Sequence, residues 1–132
     1  ERELLKKYVD ACESDDIRAF ESLIREDAQF RMPPDPGTIV GRDAMLGLWA
    51  ESGFGSGRFG RMRCLLTRAN RQPAVAAYVL RPGDTVWRAL ALDVLRIEDG
   101  RISEVVTFSP TLFPPFGLPL VMDAGEQAGP PH

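Results

Sequence analysis

The stretch from Thr85 to Glu98 constrains the fold more than any other part of the chain. Trp87, Ala89, Ala91 and Leu95 alternate in one phase, and Leu90, Leu92 and Val94 fill the other. That pattern predicts a long strand apolar on both faces, turned by the hairpin pair Asp99-Gly100. Such a strand needs cover on both sides. Helices can cover one face. The other is expected to meet a sheet of another subunit or domain, or failing that the chain's own tail.

The remaining elements follow from their periodicities. Leu4, Leu5, Tyr8, Val9 and Cys12 recur at helical spacing, and Ser14-Asp15-Asp16 breaks that helix and offers a cap to the next. Ile17, Phe20, Leu23 and Ile24 then predict a second helix. Ala28, Phe30 and Met32 alternate with Gln29 and Arg31 as a short strand over Ala28–Met32, ended by Pro33-Pro34-Asp35-Pro36-Gly37. Gly41–Ala50 reads as a third helix, and the four glycines between Ser52 and Gly60 as a loop. Strands follow from Arg61, over Pro73–Leu80 and over Ile102–Ser109. Helices gathered against an antiparallel meander make an α+β domain. Residues 1–122 are expected to form it, with 123–132 a polar, Pro/Gly-rich flexible tail.

Composition narrows the function. Apolar residues make up 44% of the 132, enough for a core. Sixteen basic against nineteen acidic residues leave a net charge of −3, whereas a module gripping a phosphate backbone carries a basic excess. Direct nucleic-acid contact is therefore not expected. No apolar stretch has the length of a membrane span, and no signal peptide is visible. Cys12 and Cys64 both sit in apolar patterns, which favours reduced buried thiols over a disulfide. The chain opens at Glu1 directly on a helix pattern, with no initiator Met, as a domain excised from a longer chain would.

The order of elements, with Lys7-Tyr8-Val9-Asp10-Ala11, Glu26-Asp27-Ala28-Gln29-Phe30-Arg31-Met32, Gly41-Arg42-Asp43-Ala44-Met45 and the run from Asp93 to Ile102, resembles the SnoaL-like, ketosteroid-isomerase-like domains of the nuclear-transport-factor-like superfamily. The resemblance spans Leu4 to about Phe108. It implies a cone: a curved antiparallel sheet wrapped around three N-terminal helices. Phe30-Arg31-Met32-Pro33-Pro34, the run from Thr67 to Ala74 and the run from Leu112 to Pro119 are similar, more narrowly, to the C-terminal domain of bacterial extracytoplasmic-function sigma factors. That resemblance implies a cytoplasmic setting and, as partners, the sigma domains of the same parent chain and RNA polymerase.

Isomerases of this fold use a carboxylate base at the end of the first strand, with a Tyr and a protonated acid as oxyanion donors. Tyr8 and Asp93 match the donor positions, but the base position holds Met32. A thioether cannot abstract a proton, so that mechanism loses its base. Asp35 stands three residues on and could swing in to replace it. The sole histidine is the terminal His132, there is no His/Cys cluster for a metal, and the glycines at 53, 55, 57 and 60 lack the strand and helix of a phosphate loop. No cofactor and no catalytic residue is assigned.

Asp93, on an apolar strand, either hydrogen-bonds a ligand or pairs within the protein, with Tyr8, Arg88, Arg96 or a backbone amide as partners. Tyr8, Met32, Trp49, Trp87, Asp93 and Phe108 are the candidate lining of an apolar pocket, with plain core packing as the alternative. The proline-rich run Phe113–Pro119 reads as an extended flap against the sheet. Three functions stay open: a non-catalytic regulatory sigma-factor domain, with or without a small apolar ligand; an isomerase or polyketide-cyclase-like enzyme using Asp93 and Tyr8; and a scaffolding module or homodimer formed through the sheet.

Overall fold

The computed structural model describes residues 1–57 and 60–123. Helix α1 (Arg2–Glu13) turns Tyr8, Ala11 and Cys12 inward. Strands β1 (Ile24–Arg31) and β2 (Thr38–Val40) follow, then α2 (Arg42–Glu51). Strands β3 (Arg61–Ala69), β4 (Gln72–Leu80), β5 (Val86–Glu98) and β6 (Arg101–Phe108) form the meander, and β7 (Val121–Asp123) closes the described chain. The sheet order is β2-β1-β6-β5-β4-β3, with β7 added on β5. All pairings are antiparallel except β1 with β6, so the sheet is mixed rather than purely antiparallel.

The three helical positions are taken by α1, α2 and, in the place of the expected second helix, a single 3₁₀ turn over Ile17–Phe20. The stripe Ile17, Phe20, Leu23 and Ile24 fits a helix, yet strand pairing overrides it. Ile24 pairs with Ile102, and the Ile102 amide donates to the Leu23 carbonyl at 2.9 Å. The first strand therefore starts at Ile24 rather than Ala28. Two hairpins sit where turn chemistry places them: Asn70-Arg71 and Asp99-Gly100 both have two positive φ values, as a two-residue hairpin requires. Gly60 is needed for a different reason. A Cβ there would meet the Leu80 carbonyl oxygen at 2.5 Å, so only glycine lets the chain enter β3 this close to β4.

Two bulges shape the sheet. In β5 the partner of Ala77 is Ala91 while that of Tyr78 is Ala89, which leaves Leu90 as an extra residue. In β6 the partner of Ile97 is Ile102 while that of Arg96 is Glu104, which leaves Ser103 extra. Each bulge moves the strand beyond it to the other phase of the pleat.

The two sheet faces carry separate cores. The concave core holds Tyr8, Cys12, Phe20, Ile24, Phe30, Met45, Cys64, Val75, Leu95 and Val105. The convex core holds Ala74, Ala76, Tyr78, Trp87, Leu92, Val94 and Phe113. After Phe108 the chain leaves the edge of β5, crosses the convex face in two 3₁₀ turns, and rejoins β5 as β7. Phe113 is fully buried in an edge-on contact with Tyr78, with ring centroids 5.3 Å apart. The Tyr78 hydroxyl donates to the Pro119 carbonyl at 2.8 Å, and the Ala89 amide to the Leu120 carbonyl at 2.9 Å. Among the described residues, the cover of the second face is thus the chain's own strap, the lesser of the two expectations. Beyond the strap the convex face turns polar, where Glu104 binds Arg31 at 3.2 Å and Arg96 at 2.9 Å.

Asp123, placed in the tail by sequence, pairs with Val86. The rest of the expected tail, His132 included, and part of the glycine loop lie outside the described residues. Among the described residues no helix is long and apolar enough to cross a membrane.

Candidate functional site

Between the concave face of the sheet, α1, the 3₁₀ turn and α2 lies a cavity of about 440 Å³. Phe20 forms one wall with Tyr8 and Trp49, its ring centroid 5.1 and 5.2 Å from theirs, both edge-on. Phe30 lies 5.7 Å from Trp49, again edge-on. Phe54, Met62, Leu90 and Phe108 complete an apolar lining. Met32, Ser52 and Ser109 line the cavity and are exposed, which marks its mouth.

Among the described residues, Asp93 is the one carboxylate lining this space. Its Oδ2 accepts from the Tyr8 hydroxyl at 2.9 Å, and its Oδ1 from the Thr107 hydroxyl at 2.7 Å. Asp93 is enclosed by protein, yet part of its surface stays open toward the cavity. Burial raises its pKa, and the hydrogen bonds from Thr107 and Tyr8 oppose that rise. Burial and the neighbouring Asp93 push the Tyr8 phenol well above its ordinary value, so it remains a donor. Behind this pair, Cys12 and Cys64 are free, buried thiols. Their mutual hydrogen bond, then burial, pushes the Cys12 thiol well up, away from the reactive thiolate. The Cys64 amide donates to Glu13 at 2.9 Å.

Five of the six pocket residues proposed from sequence, Tyr8, Met32, Trp49, Asp93 and Phe108, line this one cavity. Trp87 does not. It is buried in the convex core against the strap, with the Arg61 guanidinium 5.4 Å from its ring centroid. The bulge at Leu90 is the reason: simple alternation puts Trp87 on the face of Asp93, and the extra residue reverses it. The same bulge turns both Leu90 and Ala91 into the cavity. Thr107 was not anticipated. Counting back from the Asp99-Gly100 turn places Val106 opposite Asp93, whereas the bulge at Ser103 moves Thr107 there.

Met32 directly follows β1, at the end of the first strand, and is 43% exposed at the mouth. Asp35 is exposed and does not line the cavity. Chemically, the site combines an aromatic wall, a thioether at the entrance and a carboxylate at the floor already bonded to two hydroxyls. Among the described residues no group of His, Cys, Asp and Glu is arranged to hold a metal ion.

Comparison with known proteins extends this picture. The SnoaL-like domain family model matches residues 5–105. The chain is 39% identical over 119 residues to the ECF RNA polymerase sigma factor SigG of Mycobacterium tuberculosis, in both strains H37Rv and CDC 1551. That match takes in 89% of this chain but spans only 31% of the sigma factor's length. Among solved structures, a putative ketosteroid isomerase from Kribbella flavida is 26% identical, with a TM-score of 0.61 and coverage of 83% of this chain and 76% of that one. An NTF-2 like protein of unknown function from Burkholderia xenovorans shares the fold at 14% identity and a TM-score of 0.66, covering 82% of this chain and 80% of its own.

Proposed function

Because this chain belongs to the SnoaL-like domain family, we propose that it works as the non-catalytic regulatory C-terminal domain of an extracytoplasmic-function sigma factor. In this reading it is cytoplasmic and acts in transcription initiation through contacts with the sigma domains of its parent chain and with RNA polymerase. Occupancy of the cone by a small, mostly apolar molecule modulates those contacts. The match to SigG along 89% of the chain carries the sigma-factor assignment. The lack of catalysis rests on Met32: where an isomerase of this fold holds its base, the side chain at the cavity mouth has no lone pair basic enough to take a proton from carbon.

Two assays test the two halves. Transcription from a cognate promoter is measured with core RNA polymerase and the sigma factor, with this domain intact or removed; a changed yield of initiated transcripts is expected, and identical yields sink the regulatory role. The intact protein is also mixed with a β,γ-unsaturated ketosteroid, and conjugation is followed by absorbance. No rate above background is expected. Turnover that disappears in Asp93→Asn would reinstate an enzyme built on Asp93 and Tyr8.

A further inference from the structure

The cavity carries a charge asymmetry that its apolar lining does not explain. Among the described residues that line it, Asp93 is the only carboxylate, and no Arg, Lys or His is present. The titratable groups around Asp93 are Tyr8 and Cys12 on α1 and Cys64 on β3, and none of these is cationic. Glu13 lies behind them, on the Cys64 amide. An ionised carboxylate has about four lone-pair directions on its two oxygens. Tyr8 and Thr107 fill one on each oxygen, and the remainder includes the surface open to the cavity.

From this geometry we infer that the cone takes an apolar amine, its ammonium on Asp93 and its hydrocarbon body among Phe20, Phe30, Trp49 and Phe108. A cation is the partner that the carboxylate lacks among the described residues, and the apolar lining strengthens the pair. A neutral alcohol would fill the same volume and reach the same oxygens, but would leave the charge uncompensated. Burial raises the Asp93 pKa in the empty cavity, and a bound ammonium would draw it back down. This inference rests on reading the cavity as a ligand site and adds the class of ligand.

The test uses two near-isosteric probes, 4-phenylbenzylamine and 4-phenylbenzyl alcohol, titrated calorimetrically into the protein near neutral pH. An opposite charge in contact moves a carboxylate's pKa by about one to three decades, so the amine is expected to bind about tenfold tighter or more. In Asp93→Asn that preference should vanish while the alcohol's affinity stays nearly the same. Because Asp93→Asn also puts an amide beside the Tyr8 and Thr107 hydroxyls, the wild-type protein is also titrated at falling pH, where the amine's advantage should shrink as Asp93 takes up its proton and the alcohol's affinity should hold. Equal wild-type affinities, or a tighter alcohol, overturn the amine assignment and leave cavity binding intact. Binding of neither probe overturns the amine assignment and the ligand-responsive reading together.

Discussion

Strands β4 and β5 face two very different surroundings across the thickness of one sheet. On the convex side, Tyr78, Trp87, Leu92 and Val94 are sealed by a strap whose Phe113 is fully buried. On the concave side, Ala77, Leu90, Ala91 and Asp93 border open space of about 440 Å³. The same chain closes one face with its own residues and leaves the other hollow. The convex face is therefore the structural half of the sheet, closed by buried side chains, and the concave face is the half with room for a partner molecule.

Three substitutions probe that contrast, starting with the largest expected effect. Phe113→Ala should cost about 3–5 kcal/mol in urea unfolding, because it opens a void in a closed core against Tyr78. A loss below about 1 kcal/mol would mean that the strap decorates the sheet rather than sealing it. Leu90→Ala should cost less, below about 2 kcal/mol, since part of its surface already borders empty space and no new cavity is created from full packing. If the two losses were equal, the faces would be energetically alike and the contrast would fail.

Asp93→Asn should show the smallest effect, visible as a slope with pH. The folded-state pKa of Asp93 is raised by burial above its ordinary value of 3.8. Between those two pKa values the folded protein binds more protons than the unfolded chain, so wild-type stability falls as pH rises through that window and levels off above it. Asparagine lacks this term. Urea unfolding at several pH values should show the variant gaining on wild type as pH rises through the window and holding that gain above it. A variant that instead loses ground to wild type as pH rises would mean that Tyr8 and Thr107 hold the carboxylate's charge more strongly than burial opposes it.

Much of this was legible in sequence, and the failures are instructive. The two-faced strand, its hairpin at Asp99-Gly100 and the inward face of α1 follow from periodicity and turn chemistry alone. Tyr8 and Asp93, far apart in sequence, come within 2.9 Å, the internal pairing that stood as the alternative to a ligand contact. Trp87 and Thr107 were misplaced or missed for one shared reason: Leu90 and Ser103 each add a residue to one strand of a ladder, and strict alternation has no means of registering that. The second helix failed differently, because its apolar stripe also satisfies a strand start once Ile102 is available to pair with Ile24.

The bulge at Leu90 has a consequence for how such a chain can change. Excising Leu90 alone would leave Ala91 opposite Ala77 and Ala89 opposite Tyr78, so the ladder would close without a bulge and Trp87 would stay beneath the strap. The hollow would lose one lining side chain and the strand its local bend, while the two surfaces kept their own residues. The spare residue is thus a place where β5 can shorten by one codon without exchanging inside for outside.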